Sequence, residues 1–336
     1  MATDTYRYLN PSSPAGGNGT TPSIEADDPD RAYNTGVVWH NARRRDLVSL
    51  NEREVLICDS DGTADTSLVM LDDTWVTDYS TDNYILIMSD TNSRPGNTWN
   101  SNAFSFHWTH SSSNWGFLIE DMVDIVLDGI QFRQTRAADI AWAYHVWIKY
   151  GAGKTRTFQN CIFRSEESVA SSGQYSGLYA QYNASSASTL NIYNSVFYDF
   201  NNSTFGAIKL NNSNLTTNIY NCTLHNCSIG IERDSGTVNK TNVGAAECTT
   251  AFDGTFNIDN TCSSTTPTFV NEAGDDFQLA NEDTTWKNAG TDASEAITTD
   301  ILGLTRTSWD IGAYAYVTQP LSISVADCSE AVCKTW

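Results

Sequence analysis

The sequence predicts an all-β solenoid whose coils stack with their strands parallel. The first observation behind this is a phrase written twice. TLNIYNSVF at 189–197 returns as TTNIYNCTL at 216–224, and looser copies stand at 123–132 (VDIVLDGIQF) and 156–163 (RTFQNCIF). A frame repeated every few tens of residues is the mark of a repeat architecture. The second observation is the form of each copy. Apolar residues alternate as in a strand, a short polar step follows, and a small residue, a variable one and a large apolar one come next. The third is composition. Of the 336 residues, 40% are hydrophobic and only 18% charged, so the surface is built largely from Asn, Ser and Thr, which suit turns and strands better than helices.

The alternation defines an inward set in each copy: Ile125, Leu127, Ile130 and Phe132; Phe158, Cys161 and Phe163; Leu190, Ile192, Ser195 and Phe197; Thr217, Ile219, Cys222 and Leu224. A strict period of two would bury the Asn, whereas a bend at the Asn removes the conflict, because Asn tolerates left-handed backbone. Two strands joined by so short a corner cannot form a hairpin, but they can form successive sides of a coil. Stacked coils then place Asn160, Asn194 and Asn221 in an amide ladder, at steps of 31, 34 and 27 residues counted from Gly129. Asn242 and Asn260 continue it, at the cost of aiming Lys240 inward, and Tyr193 and Tyr220 stack on the outside. An antiparallel sandwich or jelly roll is the alternative; it calls for hairpin turn signals that are few here.

A solenoid needs its ends covered. Residues 1–50 are read as an N-terminal segment with a capping helix within 27–50, started by Asp28 or Asp30 and ended by Arg43, Arg44 and Arg45. Residues 51–317 are read as the coils, and 318–336 as a short tail. The eight Cys include no CxxC pair; Cys161 and Cys222 are expected as small buried thiols, and Cys328 and Cys333 as a candidate disulfide in an oxidising medium.

The closing run resembles that of many right-handed parallel β-helix, pectin-lyase-like proteins. It carries Asp276–Phe277–Gln278–Leu279, Ala289–Gly290–Thr291–Asp292, Asp300, Gly303, Arg306 and Asp310–Ile311–Gly312–Ala313–Tyr314, and the opening YLNPSSPAGGNGTT at 8–21 resembles the start of such chains. The resemblance implies a right-handed single-stranded parallel β-helix. It also implies a role among phage tail or capsid components, adhesins or polysaccharide-cleaving enzymes, since the fold does not fix the function.

Candidate sites follow from residue types. Asp59, Asp61 and Asp65 surround Gly62 as hard-cation ligands would, so they are the candidates for a structural Ca2+; an Asx-bonded turn is the plainer reading. Glu166 and Glu167, with Asp199 and Asp234 on later coils, are the candidate acid and base of a glycosidase, although solvated loop acids are common in a chain with 40 Asp and Glu. Lys209 and Arg233 are the nearby basic groups a lyase would want. Trp142, Tyr144, Trp147 and Tyr150, with Tyr175 and Tyr179, form a candidate surface for a partner or for sugar stacking. Trp147 and Ile148 cannot both face one side of a strand.

Net charge is −21, which opposes nucleic acid and anionic membranes as partners, and no 18-residue apolar run is present. The first twenty residues do not read as a signal peptide. The expected function is a non-enzymatic bacteriophage virion component, a capsid decoration or tail accessory protein assembled in the host cytoplasm. Its expected partners are itself, with a trimer favoured, other virion proteins and host-surface polysaccharide; no cofactor beyond the Ca2+ is expected. The alternative is a secreted polysaccharide lyase or hydrolase.

Overall fold

The computed structural model describes residues 1–316 apart from 92, 121–122, 150–152, 168–172 and 182–186; the side chain of Glu167 is likewise outside the description. The chain is a right-handed parallel β-helix with three sheets. The first sheet has nine strands, from Thr3–Leu9 and Glu52–Cys58 to Ile258–Asn260, the second six, from Ser105–His110 to Gly244–Ala246, and the third seven, from Val69–Leu71 to Thr250–Asp253. From Ile125 onward each coil visits the three in turn, for example Ser188–Tyr193, Val196–Tyr198 and Ile208–Asn211.

The corner between first and second sheets is one residue in the left-handed region: Gly129, Asn160, Asn194, Asn221, Asn242 and Thr261 on successive coils. The last of these differs from the expected Asn260, whose backbone pairs instead with Thr241. Like residues stack in register because the strands pair evenly. Phe106, Phe132, Phe163 and Phe197 form one inward column, with ring centroids 5.8, 4.7 and 4.3 Å apart and planes within 19° of parallel. The whole inward set read from the sequence is buried, Cys161 and Cys222 included, and burial pushes both thiols up to about 12. Tyr193 and Tyr220 stack outside at 5.5 Å.

The Asn ladder is real but is two runs, not one. Asn160 Nδ2 donates to Asp128 and Asn194 Nδ2 to Asn160 Oδ1 (3.2 Å); Asn242 Nδ2 donates to Asn221 Oδ1 (2.9 Å) and Thr261 Oγ1 to Asn242. Between Asn194 and Asn221 the coils are joined by Asn194 N donating to Tyr220 O, and Asn221 Nδ2 is buried without an acceptor. The break lies where the C-terminal segment reaches the corner: Asn194 Nδ2 turns to Thr299 O, and Arg306 contacts Asn194 Oδ1. A second, outward ladder runs Asn191–Asn218–Asn239, with 3.0 Å amide bonds. Replacing Asn194 by Ala removes two amide donations at a position of φ 46°. A loss of about 2 kcal/mol is expected, visible as a lowered denaturant midpoint at unchanged slope.

The ends differ from the sequence reading. Strand Thr3–Leu9 pairs along its whole length with Glu52–Cys58, so residues before 51 are part of the first sheet and not only a cap. The helix is Gly36–Arg43; Thr35, not Asp28 or Asp30, caps it by accepting from Val38 N, and Asp65 Oδ2 takes Gly36 N at 2.5 Å. At the other end the coils stop at Ser263, which bridges to Gly244. Residues 264–316 fold back along the outside of the second sheet, beginning with the antiparallel pair Phe269–Asn271 and Asp276–Leu279. There Phe277, Trp286, Ile311 and Tyr314 cover Ile162, Val196, Tyr198 and Ala246. The expected coil region 51–317 is therefore coils to 263 and a flank segment beyond. Lys240 does point inward, fully buried, its ammonium paired with Asp259 and 3.9 Å from the Phe252 ring. Cys328, Cys333 and the tail 318–336 lie outside the described residues.

Candidate functional site

Strand Trp142–Lys149 of the third sheet begins as an ordinary alternating strand and slips by one at His145, which passes between Gly116 and Gly177 of the neighbouring strands. Beyond the slip Val146 and Ile148 enter the core, and Trp147 is left on the outer face. The register then builds an outward row along the solenoid axis: Leu118, Trp147, Tyr179, Lys209, Glu232, Asp253. Adjacent rungs of a sheet lie about 4.8 Å apart. The Trp147 and Tyr179 rings are nearly parallel, at 7° with centroids 6.4 Å apart.

Tyr144, 4.6 Å from the Tyr179 ring, with Trp142 and Phe205 completes an aromatic ridge beside this row. Lys149 Nζ stands 5.4 Å over Trp147. Burial, with Asp234 nearby, pushes the Tyr179 phenol up to about 12, so it offers a neutral hydroxyl at any ordinary pH. Tyr144, Tyr179 and Lys209 are themselves buried, and only the partly exposed Trp142, Trp147 and Phe205 present a wet edge, as suits a ligand that is apolar on its faces and hydroxylated at its rim.

Not every predicted aromatic belongs to the ridge. Tyr175 is buried: its hydroxyl donates to Ile140 O at 2.5 Å and its ring lies under the Arg136 guanidinium. Tyr150 lies outside the described residues.

Of the candidate catalytic acids, Glu166, Asp199 and Asp234 each have bonded partners. Glu166 is on the outer face of the second sheet, paired with Arg133 and 3.6 Å from Arg164. Glu167 ends the same strand. Asp199 is a corner residue at φ 67°, accepting from Asn226 Nδ2 at 2.8 Å. Asp234 lies past the third sheet, 2.7 Å from Lys209 Nζ, which Glu232 also holds. Arg233 is spent on the carbonyls of Gly236 and Thr255. Glu166 and Asp199 thus both stand by Arg164, whereas Asp234 is held by Lys209 on the third sheet.

Asp59, Asp61 and Asp65 also part company. Asp59 accepts from Ser60 N and Ser93, Asp61 from Ser12 Oγ, and Asp65 from Gly36 N and Ser67 N. They act as turn and cap acceptors and do not converge on one point. Among the described residues the metal-ligand cluster lies elsewhere, at His225, Glu247 and Glu272. Sequence reading missed it because His225 and Glu272 belong to different layers.

No family model matches the chain, and no curated protein sequence matches it. Among solved structures it is similar to a crystal structure of the pectate lyase Pel9A, at 13% identity and a TM-score of 0.34, over 94% of this chain and 97% of that one.

Proposed function

We propose that this chain is a non-enzymatic β-helix that binds polysaccharide along its third sheet and serves as a surface component of a bacteriophage virion, assembled as a homo-oligomer with a trimer expected. The observation that supports the binding is the set of partly exposed Trp142, Trp147 and Phe205, backed by the buried Tyr144 and Tyr179 rings and the buried Lys209–Glu232 pair. The outward row that includes Trp147 runs along the axis, as an extended glycan would. Net charge −21 favours an uncharged polysaccharide over a polyanion. The non-catalytic reading draws on the partners of the acids, Glu166, Asp199 and Asp234 being already bonded to Arg, Asn or Lys. The particle setting draws support from the six described Cys, all free thiols, which suit assembly in a reducing cytosol.

Binding to a panel of neutral and acidic polysaccharides, measured by calorimetry on the intact chain, tests this. Trp147→Ala is expected to weaken binding about tenfold, the loss of one stacking contact of roughly 1.4 kcal/mol. Release of new reducing ends or unsaturated sugars by the purified protein would sink the non-enzymatic reading. A monomer absent from purified phage particles would sink the virion reading.

A further inference from the structure

We infer that His225, Glu247 and Glu272 form a divalent transition-metal site, of zinc type, that clasps the C-terminal segment to the coils. It is independent of the glycan surface, which lies on another sheet. His225 ends strand Thr223–His225 of the second sheet, Glu247 is the left-handed corner after the next strand, and Glu272 opens the turn between the two antiparallel strands of the flank segment. His225 Nε2 is 2.6 Å from Glu272 Oε1 and 3.8 Å from Glu247 Oε2, and all three ligand atoms lie within 4.8 Å of one another. Tetrahedral zinc with bonds of about 2.0–2.1 Å needs ligand atoms roughly 3.3 Å apart, so a small rotation of the two carboxylates suffices.

Two features point to a cation. The imidazole is more than nine-tenths buried, at 9% side-chain exposure, and the Phe277 ring lies 4.7 Å away. The imidazole Nε2 is aimed between the carboxylates. Two carboxylates meet there, 38% and 53% exposed, so an ion can enter from solvent and keep water in its remaining position. Imidazole with carboxylates suits zinc better than calcium or magnesium, which take oxygen ligands alone. Because the ligands come from the coils and from the flank segment, binding stabilises the docked state by linkage.

Equilibrium dialysis of EDTA-treated protein against Zn2+, with metal counted by mass spectrometry, tests the site, and thermal unfolding with and without Zn2+ tests the clasp. One Zn2+ per chain and a raised melting temperature are expected. Glu272→Gln and Glu247→Gln, both at solvated positions, are each expected to weaken binding at least tenfold while the metal-free proteins melt as the parent does. The cobalt-loaded protein is expected to show no thiolate charge-transfer band, which separates this site from the eight Cys. Absence of binding, binding unchanged in both variants, or a thiolate band would overturn the proposal.

Discussion

Replacing Glu54 by Ala is expected to cost about 3–5 kcal/mol, the usual result of removing one partner from a buried ion pair. Glu54 is fully buried at an inward position of strand Glu52–Cys58, level with Ile85 of the core. Its Oε1 accepts from Trp39 Nε1 (3.2 Å) and Arg43 Nε (2.8 Å), and its Oε2 from Arg43 Nη2 (3.0 Å) and Arg45 Nη2 (2.8 Å). Alanine leaves the Trp39 donor and the Arg43 guanidinium without their acceptor under the helix. Arg45 keeps Glu52, 2.6 Å away. The cost arises from stranded charge and not from lost attraction, so it should largely vanish when the charge goes too. Glu54→Leu combined with Arg43→Met is expected to recover most of the loss. Urea unfolding of the two proteins decides the matter: equal losses in both would mean that the helix is held by packing alone.

That arginine cluster shows how legible the chain was and where reading stopped. Arg43–Arg45 were expected to end a helix, and Arg43 does end it, but nothing local says that Arg43 and Arg45 turn inward to a Glu about ten positions on. The coils were readable because each copy repeats the same local rule, inward apolar residue and left-handed Asn, and parallel stacking copies it upward. Strand Thr3–Leu9 does not carry this signal: Tyr6 is exposed, the inward positions are Thr5 and Arg7, and only Leu9 enters the core. The aromatic ridge was half legible. Alternation separates Trp147 from Ile148, yet the slip at His145 depends on Gly116 and Gly177 in other coils, and Tyr175 is taken inward by Ile140 and Arg136. The break in the Asn ladder depends on Arg306, 112 residues from Asn194. What was lost in each case is a contact between layers, set by the flank segment and the glycines, for which sequence spacing gives no rule.

The slip at His145 has a pH consequence. His145 is fully buried, packed against the Phe163 and Phe200 rings, and neither ring nitrogen has a hydrogen-bond partner. Burial first, then His110 and His107, holds its pKa well below the ordinary 6.5. A base with a depressed folded-state pKa is stabilising in its neutral form. Its contribution is therefore complete above the unfolded value of about 6.5 and is lost as pH falls, because the unfolded chain then takes up a proton that the folded one refuses. The slope is about 1.4 kcal/mol per pH unit until the folded pKa is reached. Burial depresses His40, His107 and His110 in the same direction, which steepens the loss. Buried Asp65 and Asp300, whose pKa values burial raises, act oppositely: they favour the folded state as pH falls toward the carboxylate range, below the histidine window. His145→Leu removes the proton acceptor and fills the same apolar pocket. Its stability near pH 7 is expected to match or exceed the parent's, and at pH 5 to exceed it by about 2 kcal/mol more than at pH 7, the slope taken over 1.5 units below 6.5. Denaturant midpoints of both proteins from pH 7.5 to 5 measure this. A difference independent of pH would mean that His145 is hydrated or paired, and that the interior at the slip is not dry.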